Sequence, residues 1–256
     1  MAKEKWTVEL TPEEETVLSQ ILSQPFYYKD SGSQFYVFES EDGQYVLKFF
    51  KFQHMSIRPI FHYLPMFGKM KQWREKKILK KNQLIEFTFD SIKTAFDYLK
   101  KETGLLFIHL NAEQQPKGWN VKIYDKLHIA HQLSLDNISF IMQKKASLVY
   151  PTIDQWMKNK EIEKAKKGIR DVLHIPLNRC RKGIGDIDPD FATNFGFLNE
   201  RPLQIDIGRF YKDPSRKKPQ EYRNEMVRIT RNFRKWLAEN HPELIADFDK
   251  EIENME

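Results

Sequence analysis

Apolar and polar positions change period several times along the chain, and each change predicts an element. TPEEETVLSQILSQ (11–24) reads as a first helix, with Thr11 as cap, Pro12 at its first position and Glu14 at capping-box spacing. SQFYVFESEDGQYVLKFFKF (33–52) has aromatic and β-branched runs on both sides of Glu41-Asp42-Gly43, which predicts a hairpin. A long basic helical pattern covers residues 68–101, with a break expected near EFTFD (86–90) and an end at Gly104. LLFIHL (105–110) and NVKIYDKL (120–127) read as strands on either side of the polar loop NAEQQPKG. DNISFIMQKKA (136–146) fits a strand or a linker. Residues 150–183 look mainly helical, with Pro176 interrupting or ending an element. FATNFGFL and RPLQIDIG then form a predicted hairpin turning at Asn199-Glu200. From Tyr222 onward the pattern is helical again, and Pro242 starts a second helix.

This order describes an α+β protein: a small sheet-containing N-terminal lobe, residues 1–145, and a mostly helical C-terminal lobe, residues 146–256. A cleft between two such lobes is a usual ligand site.

Composition narrows the class. The chain has 256 residues, 19 of them Phe, with 40% hydrophobic and 30% charged residues, which describes a folded globular protein with a substantial core. Cys180 is the only cysteine, so no internal disulfide forms, and this fits a reducing compartment. No apolar run reaches the ~18 residues of a membrane span, and the N-terminus lacks an apolar signal core, so a cytoplasmic protein is expected. The net charge is +6. Its densest basic run, KMKQWREKKILKK (69–81), reads as a solvated helix face able to meet phosphate groups or an acidic partner; DPSRKKPQ (213–220) is a smaller one. Trp73, Trp119, Trp156 and Trp236 are scattered and read as core or lobe-contact residues, so nucleic-acid binding is not expected.

The candidate chemistry lies between Gly183 and Phe210. Asp186, Asp188, Asp190, Asn194 and Asp206 stand there beside glycine and apolar residues. Carboxylates in such company are costly to bury unless they are paired or hold metal, and oxygen donors of this kind suit Mg²⁺ carrying phosphate. Lys48, in YVLKFF, is the second feature. Strand alternation turns it to solvent, or it points into a cleft to hold phosphate.

Together these patches resemble the protein-kinase-like superfamily, including small-molecule kinases such as aminoglycoside phosphotransferases. The resemblance implies a bilobal fold, and with only about 50 residues following Asp206 the helical C-lobe is expected to be abbreviated beside that of protein kinases. KDSGSQFYVFESEDGQYVLKFF (29–50) is similar to the hairpin that covers ATP in that family, with Gly32 and Ser33 in the phosphate-covering loop and Lys48 as the strand lysine for the α/β-phosphates. Asn194 matches the metal-binding asparagine, and Asp206-Ile207-Gly208 the metal-binding aspartate motif that follows a hairpin. The catalytic base usually stands five residues before that asparagine, where this chain has Pro189. Asp188 ranks first for that role, then Asp186, which follows Gly185 as in the His-Gly-Asp form, then Asp190. Glu75 and Glu86 are the two candidate acidic partners of Lys48.

The implied activity is transfer of the ATP γ-phosphoryl group, with Mg²⁺, to a hydroxyl of a small molecule or protein. A catalytically silent nucleotide-binding or scaffold protein, a pseudokinase, is the alternative. A third reading takes Asp186-Ile187-Asp188 or Asp188-Pro189-Asp190 as the paired carboxylates of a metal-dependent glycosyltransferase or nuclease. Flanking Arg179 and Arg181 are able to lower the thiol pKa of Cys180, but an inert thiol is the expectation.

Overall fold

A computed structural model of the chain describes residues 4–52, 69–111 and 117–255. Residue 68 of the expected long helix and residues 112–116 of the polar loop lie outside these. The chain forms two compact units, Met1–Lys93 with Leu105–Lys145, and Thr94–Gly104 with Ala146–Glu256. The architecture is α+β, as the element order predicts, with strands concentrated in the first unit and helices in the second.

The first unit is built on a seven-stranded sheet. Helix α1 (Pro12–Leu22) starts at the predicted capping box: Thr11 Oγ1 accepts from the Glu14 amide and Glu14 Oε2 from the Thr11 amide, each at 3.2 Å. Strands β1 (Phe26–Ser31), β2 (Phe35–Ser40) and β3 (Tyr45–Phe50) run as an antiparallel meander. Gly43 turns the second hairpin at φ +67°. Strands β4 (Leu105–His109), β5 (Asn120–Tyr124), β6 (Ala130–Ser134) and β7 (Phe140–Lys144) complete the order β4-β7-β3-β2-β1-β5-β6. Residues 136–146, ambiguous in sequence, thus supply an interior strand whose Ile141 and Met142 are fully buried. β1 and β6 have no counterpart among the sequence expectations. β6 is an edge strand with four of its five residues exposed, so it carries none of the alternation that announces a half-buried strand.

Helix α2 (Lys69–Thr103) corrects a second expectation. It runs unbroken through residues 86–90. Thr88, Ser91, Ile92, Ala95 and Leu99 are buried, a spacing of three and four that keeps one helical stripe inward. Phe89 packs on Trp6 and Phe50 at centroid distances of 5.0 and 4.9 Å. Asp90 accepts from the Trp6 indole at 2.7 Å, and packing of this kind outweighs the modest helix propensity of Phe and Thr. The non-helical residue is Leu99, at φ −133°, and Gly104 ends the helix at φ +66° as expected. Trp73 is 50% exposed rather than a core residue, because no side chain of α2 before Thr88 is buried.

In the second unit β8 (Ser147–Leu148) leads into α3 (Val149–Lys158) and α4 (Ile162–Arg181). Pro176 sits inside α4 and does not end it; its neighbours Leu173, Ile175 and Leu177 are all buried, so the packed face holds the helix across the missing N–H. After β9 (Ile184–Asp186), the hairpin of β10 (Phe195–Leu198) and β11 (Arg201–Gln204) turns at Asn199 and Glu200, both with positive φ, 48° and 68°. That is the primed two-residue turn whose twist matches the flanking strands. β12 (Phe210–Lys212) pairs with β9, and α5 (Pro219–Asn240) and α6 (Ile245–Glu253) close the unit. Its core joins Ile153, Val172, Leu173, Phe195, Phe233 and Phe248. Among the described residues no helix is long and apolar enough to cross a membrane.

Candidate active site

The β10–β11 register positions the two ends of the candidate site. Phe195 opposes Gln204, so the preceding residue, Asn194, faces Ile205 and adjoins Asp206. The Asn194 carbonyl accepts the amide of Ile205 at 2.8 Å, which extends the ladder one step and fixes where Asp206 leaves it. The loop back to β9 closes on the same residue: the Asn194 side-chain amide donates to the Asp188 carbonyl at 2.5 Å, and its main-chain N–H to the Asp190 carbonyl at 2.8 Å. The Asn194 side-chain oxygen lies 3.0 Å from the Thr193 hydroxyl oxygen. Asp188, Asn194 and Asp206 therefore belong to one local array in the second unit.

The three aspartates of the loop have different surroundings. Asp186 is 2% exposed. Its Oδ2 accepts from Arg179 at 3.1 Å and from the Gln204 side chain at 2.6 Å, and its Oδ1 from the Asp188 amide at 3.1 Å. Burial pushes its carboxyl above the ordinary value, against the Arg179 charge and these donors. Arg179 is itself 1% exposed, and among the described residues its Nε and Nη2 find no acceptor. Its guanidinium also lies 5.4 Å from the Phe210 ring centroid, a cation–π contact. This cluster lies inside the protein, and Asp186 is its internal anchor. Asp190 is half-buried and turned back on the loop, accepting from the Ala192 amide and the Thr193 hydroxyl at 3.0 Å each. Asp188 is exposed, and among the described residues its carboxylate accepts no hydrogen bond. The paired-carboxylate reading of residues 186–188 thus meets an obstacle: one member is already consumed within the protein.

Asp206 is half-buried, and its Oδ1 caps the Gly208 amide at 3.2 Å. Among the described residues no three His, Cys, Asp or Glu side chains gather as a metal-binding group. The Asn194 amide oxygen and the Asp206 carboxylate are hard oxygen donors of the kind Mg²⁺ takes when phosphates and water complete its shell.

The remaining candidates lie in the first unit. Lys48 is half-buried on β3, opposite Val37 of β2 and Ile141 of β7, on the face away from buried Leu47 and Phe49. Gly32 and Ser33 lie in the three-residue β1–β2 connection, and a Cβ at Gly32 would meet nothing within 4 Å. Glu75 is exposed on α2. Glu86, also on α2, pairs with Lys5 at 3.3 Å.

One residue escaped sequence reasoning. Lys51 is 7% exposed, its ammonium donates to Ser31 Oγ and, at 2.6 Å, to the Gly32 carbonyl, and it stands 4.6 Å from the Tyr36 ring centroid. It ties down the loop that the resemblance assigns to phosphate. The signal was present, since Lys51 has phenylalanines on both sides in FFKF. Cys180 is fully buried, and burial raises its thiol pKa above the ordinary value, outweighing Arg179.

No protein-family model matches the chain, and no curated protein matches it. Among solved structures it is similar to the bifunctional kinase-methyltransferase WbdD, at 15% identity and a TM-score of 0.41 over 86% of this chain and 43% of that one. The co-crystal structure of WbdD with the kinase inhibitor LY294002 matches at 14% identity and a TM-score of 0.36, over 88% of this chain and 45% of that one. The chain thus spans less than half the length of these two solved chains.

Proposed function

We propose that this chain is a kinase-like phosphotransferase that moves the γ-phosphoryl group of ATP to a hydroxyl of a small molecule or protein. The observation that carries the reading is the array at the base of the β10–β11 hairpin. It presents an exposed carboxylate that accepts no hydrogen bond among the described residues, Asp188, on a loop closed by Asn194 beside Asp206. In this reading Asn194 and Asp206 would hold Mg²⁺, which would supply positive charge to offset what develops on the phosphates. Lys48 binds the α/β-phosphates, and Gly32 and Ser33 cover them.

Asp188 orients the acceptor hydroxyl. As the new bond from that oxygen to the γ-phosphorus forms and the bond to the β-phosphate oxygen breaks, the hydroxyl proton passes to Asp188 and ADP leaves. Asp188 is preferred to its neighbours because the oxygens of Asp186 and Asp190 are engaged within the loop and the buried cluster.

Calorimetric titration with ATP, with and without Mg²⁺, tests the site, and an ATP-turnover assay tests the reaction. Mg²⁺-dependent binding lost in Asp206→Ala is expected, as is binding retained in Asp188→Asn with turnover lowered about 10²–10⁴-fold. Binding that ignores both Mg²⁺ and the Asp206 substitution sinks the site. Binding with no turnover, unchanged by Asp188→Asn, favours the silent nucleotide-binding alternative.

A further inference from the structure

The chain's excess charge is concentrated. Residues 69–81 contain seven Lys or Arg against one Glu, which equals the whole net charge of +6, so the remainder of the chain is balanced. These residues form the first turns of α2, where no side chain is buried before Thr88. At about 100° per residue, six of the seven cations fall on one side of the helix with Met70 and Trp73 among them, while Glu75 falls on the other. Met70 is 62% and Trp73 50% exposed, and Lys77 stands 4.0 Å from the Trp73 ring centroid.

We infer that this face of α2 docks the protein on an anionic membrane surface. The charge complements a sheet of acidic headgroups. Six of the seven cations are lysines, point charges that suit a diffuse anionic surface, whereas specific nucleic-acid contacts favour the fork of arginine. Trp73 and Met70 add what a phosphate backbone does not need: apolar side chains, one of them an indole, presented among the cations to the headgroup–acyl boundary. The helix lies on the bilayer and does not span it, since it is too polar to cross. The inference is independent of the phosphotransfer reading, and its test involves no nucleotide.

The test is co-sedimentation of the full chain with vesicles of phosphatidylcholine containing about one third phosphatidylserine, beside phosphatidylcholine alone. Binding only to the anionic vesicles, weakened by salt, is expected. The triple variant Lys76→Gln, Lys77→Gln, Lys80→Gln should lose about fivefold per lysine, on the order of a hundredfold in all. A second measurement leaves the cations in place. A fluorophore on Met70→Cys, with Cys180 buried, should be quenched by brominated lipid, and one on Gln72→Cys much less. Equal quenching at the two positions, anionic-vesicle binding untouched by the triple substitution, or binding to a DNA duplex without binding to vesicles would each overturn the inference.

Discussion

The side-chain amide of Asn194 donates to the main-chain carbonyl of Asp188 at 2.5 Å, closing the loop between them from its far end. The same asparagine accepts the Ile205 amide through its own carbonyl, so one residue sets both the loop and the exit of Asp206 from β11. Asn194→Ala removes the loop closure and one proposed metal ligand together. The expected result is a loss of about 1–3 kcal/mol in chemical denaturation, because the Asp188 carbonyl loses its donor, and Mg²⁺-dependent ATP affinity lowered at least about tenfold, the equivalent of ~1.4 kcal/mol. Unchanged ATP affinity in a folded variant would separate Asn194 from the nucleotide.

Asp186 and Arg179 are tested by stability first. Asp186→Asn keeps the shape but leaves the Arg179 guanidinium buried without its counter-ion, and breaking such a pair costs about 3–5 kcal/mol. Urea unfolding should show a loss of that order. A loss below about 0.5 kcal/mol, the scale of a surface change, would mean that the pair does not hold the loop.

Two glycines make a contrast. A Cβ on Gly196 would sit 2.5 Å from the carbonyl oxygen of Ser147, on the strand paired with β10, whereas one on Gly32 would meet nothing within 4 Å. Gly196→Ala should therefore cost about 1–3 kcal/mol through backbone displacement. Gly32→Ala should leave stability within about 0.5 kcal/mol while weakening ATP binding if the loop covers phosphates. Equal effects of the two substitutions on the urea midpoint would contradict this.

Tyr150 gives a pH signature. Burial, helped by the negative charge of Asp190, pushes its phenol up to about 12. It stacks on Trp236 with centroids 4.1 Å apart. The folded-state value lies above the ordinary phenol value of about 10. Its contribution is therefore fully present below pH ~10 and is lost as the pH rises through ~12. Phenolate absorbance of the native protein should contain one late-titrating component that Tyr150→Phe removes. Its absence from the native titration curve would falsify the buried placement.

The geometry of the candidate site was legible in part. That Asn194 and Asp206 adjoin was readable because a hairpin of fixed length and a two-residue turn at Asn199-Glu200 set their register locally. Among Asp186, Asp188 and Asp190 spacing alone ranked without deciding, since which carboxylate is consumed depends on Arg179 and Gln204, residues on other elements. Lys51 was overlooked because its partners, Ser31 and Gly32, lie a hairpin away.

By itself the sequence determined the elements whose signals are local: the capping box of α1, the turn at Gly43, the end of α2 at Gly104, and the β10–β11 hairpin. These depend on the conformational limits of single residues and on hydrogen bonds between near neighbours. Tertiary structure decided the rest. It kept α2 helical through EFTFD by packing Phe89 against Trp6 and Phe50, carried α4 past Pro176, and made a strand of the exposed edge at β6. It also enclosed Asp186 with Arg179 and left Asp188 in solvent. Burial and pairing are relations between distant segments, and their energies exceed the local propensities that a single stretch of sequence expresses.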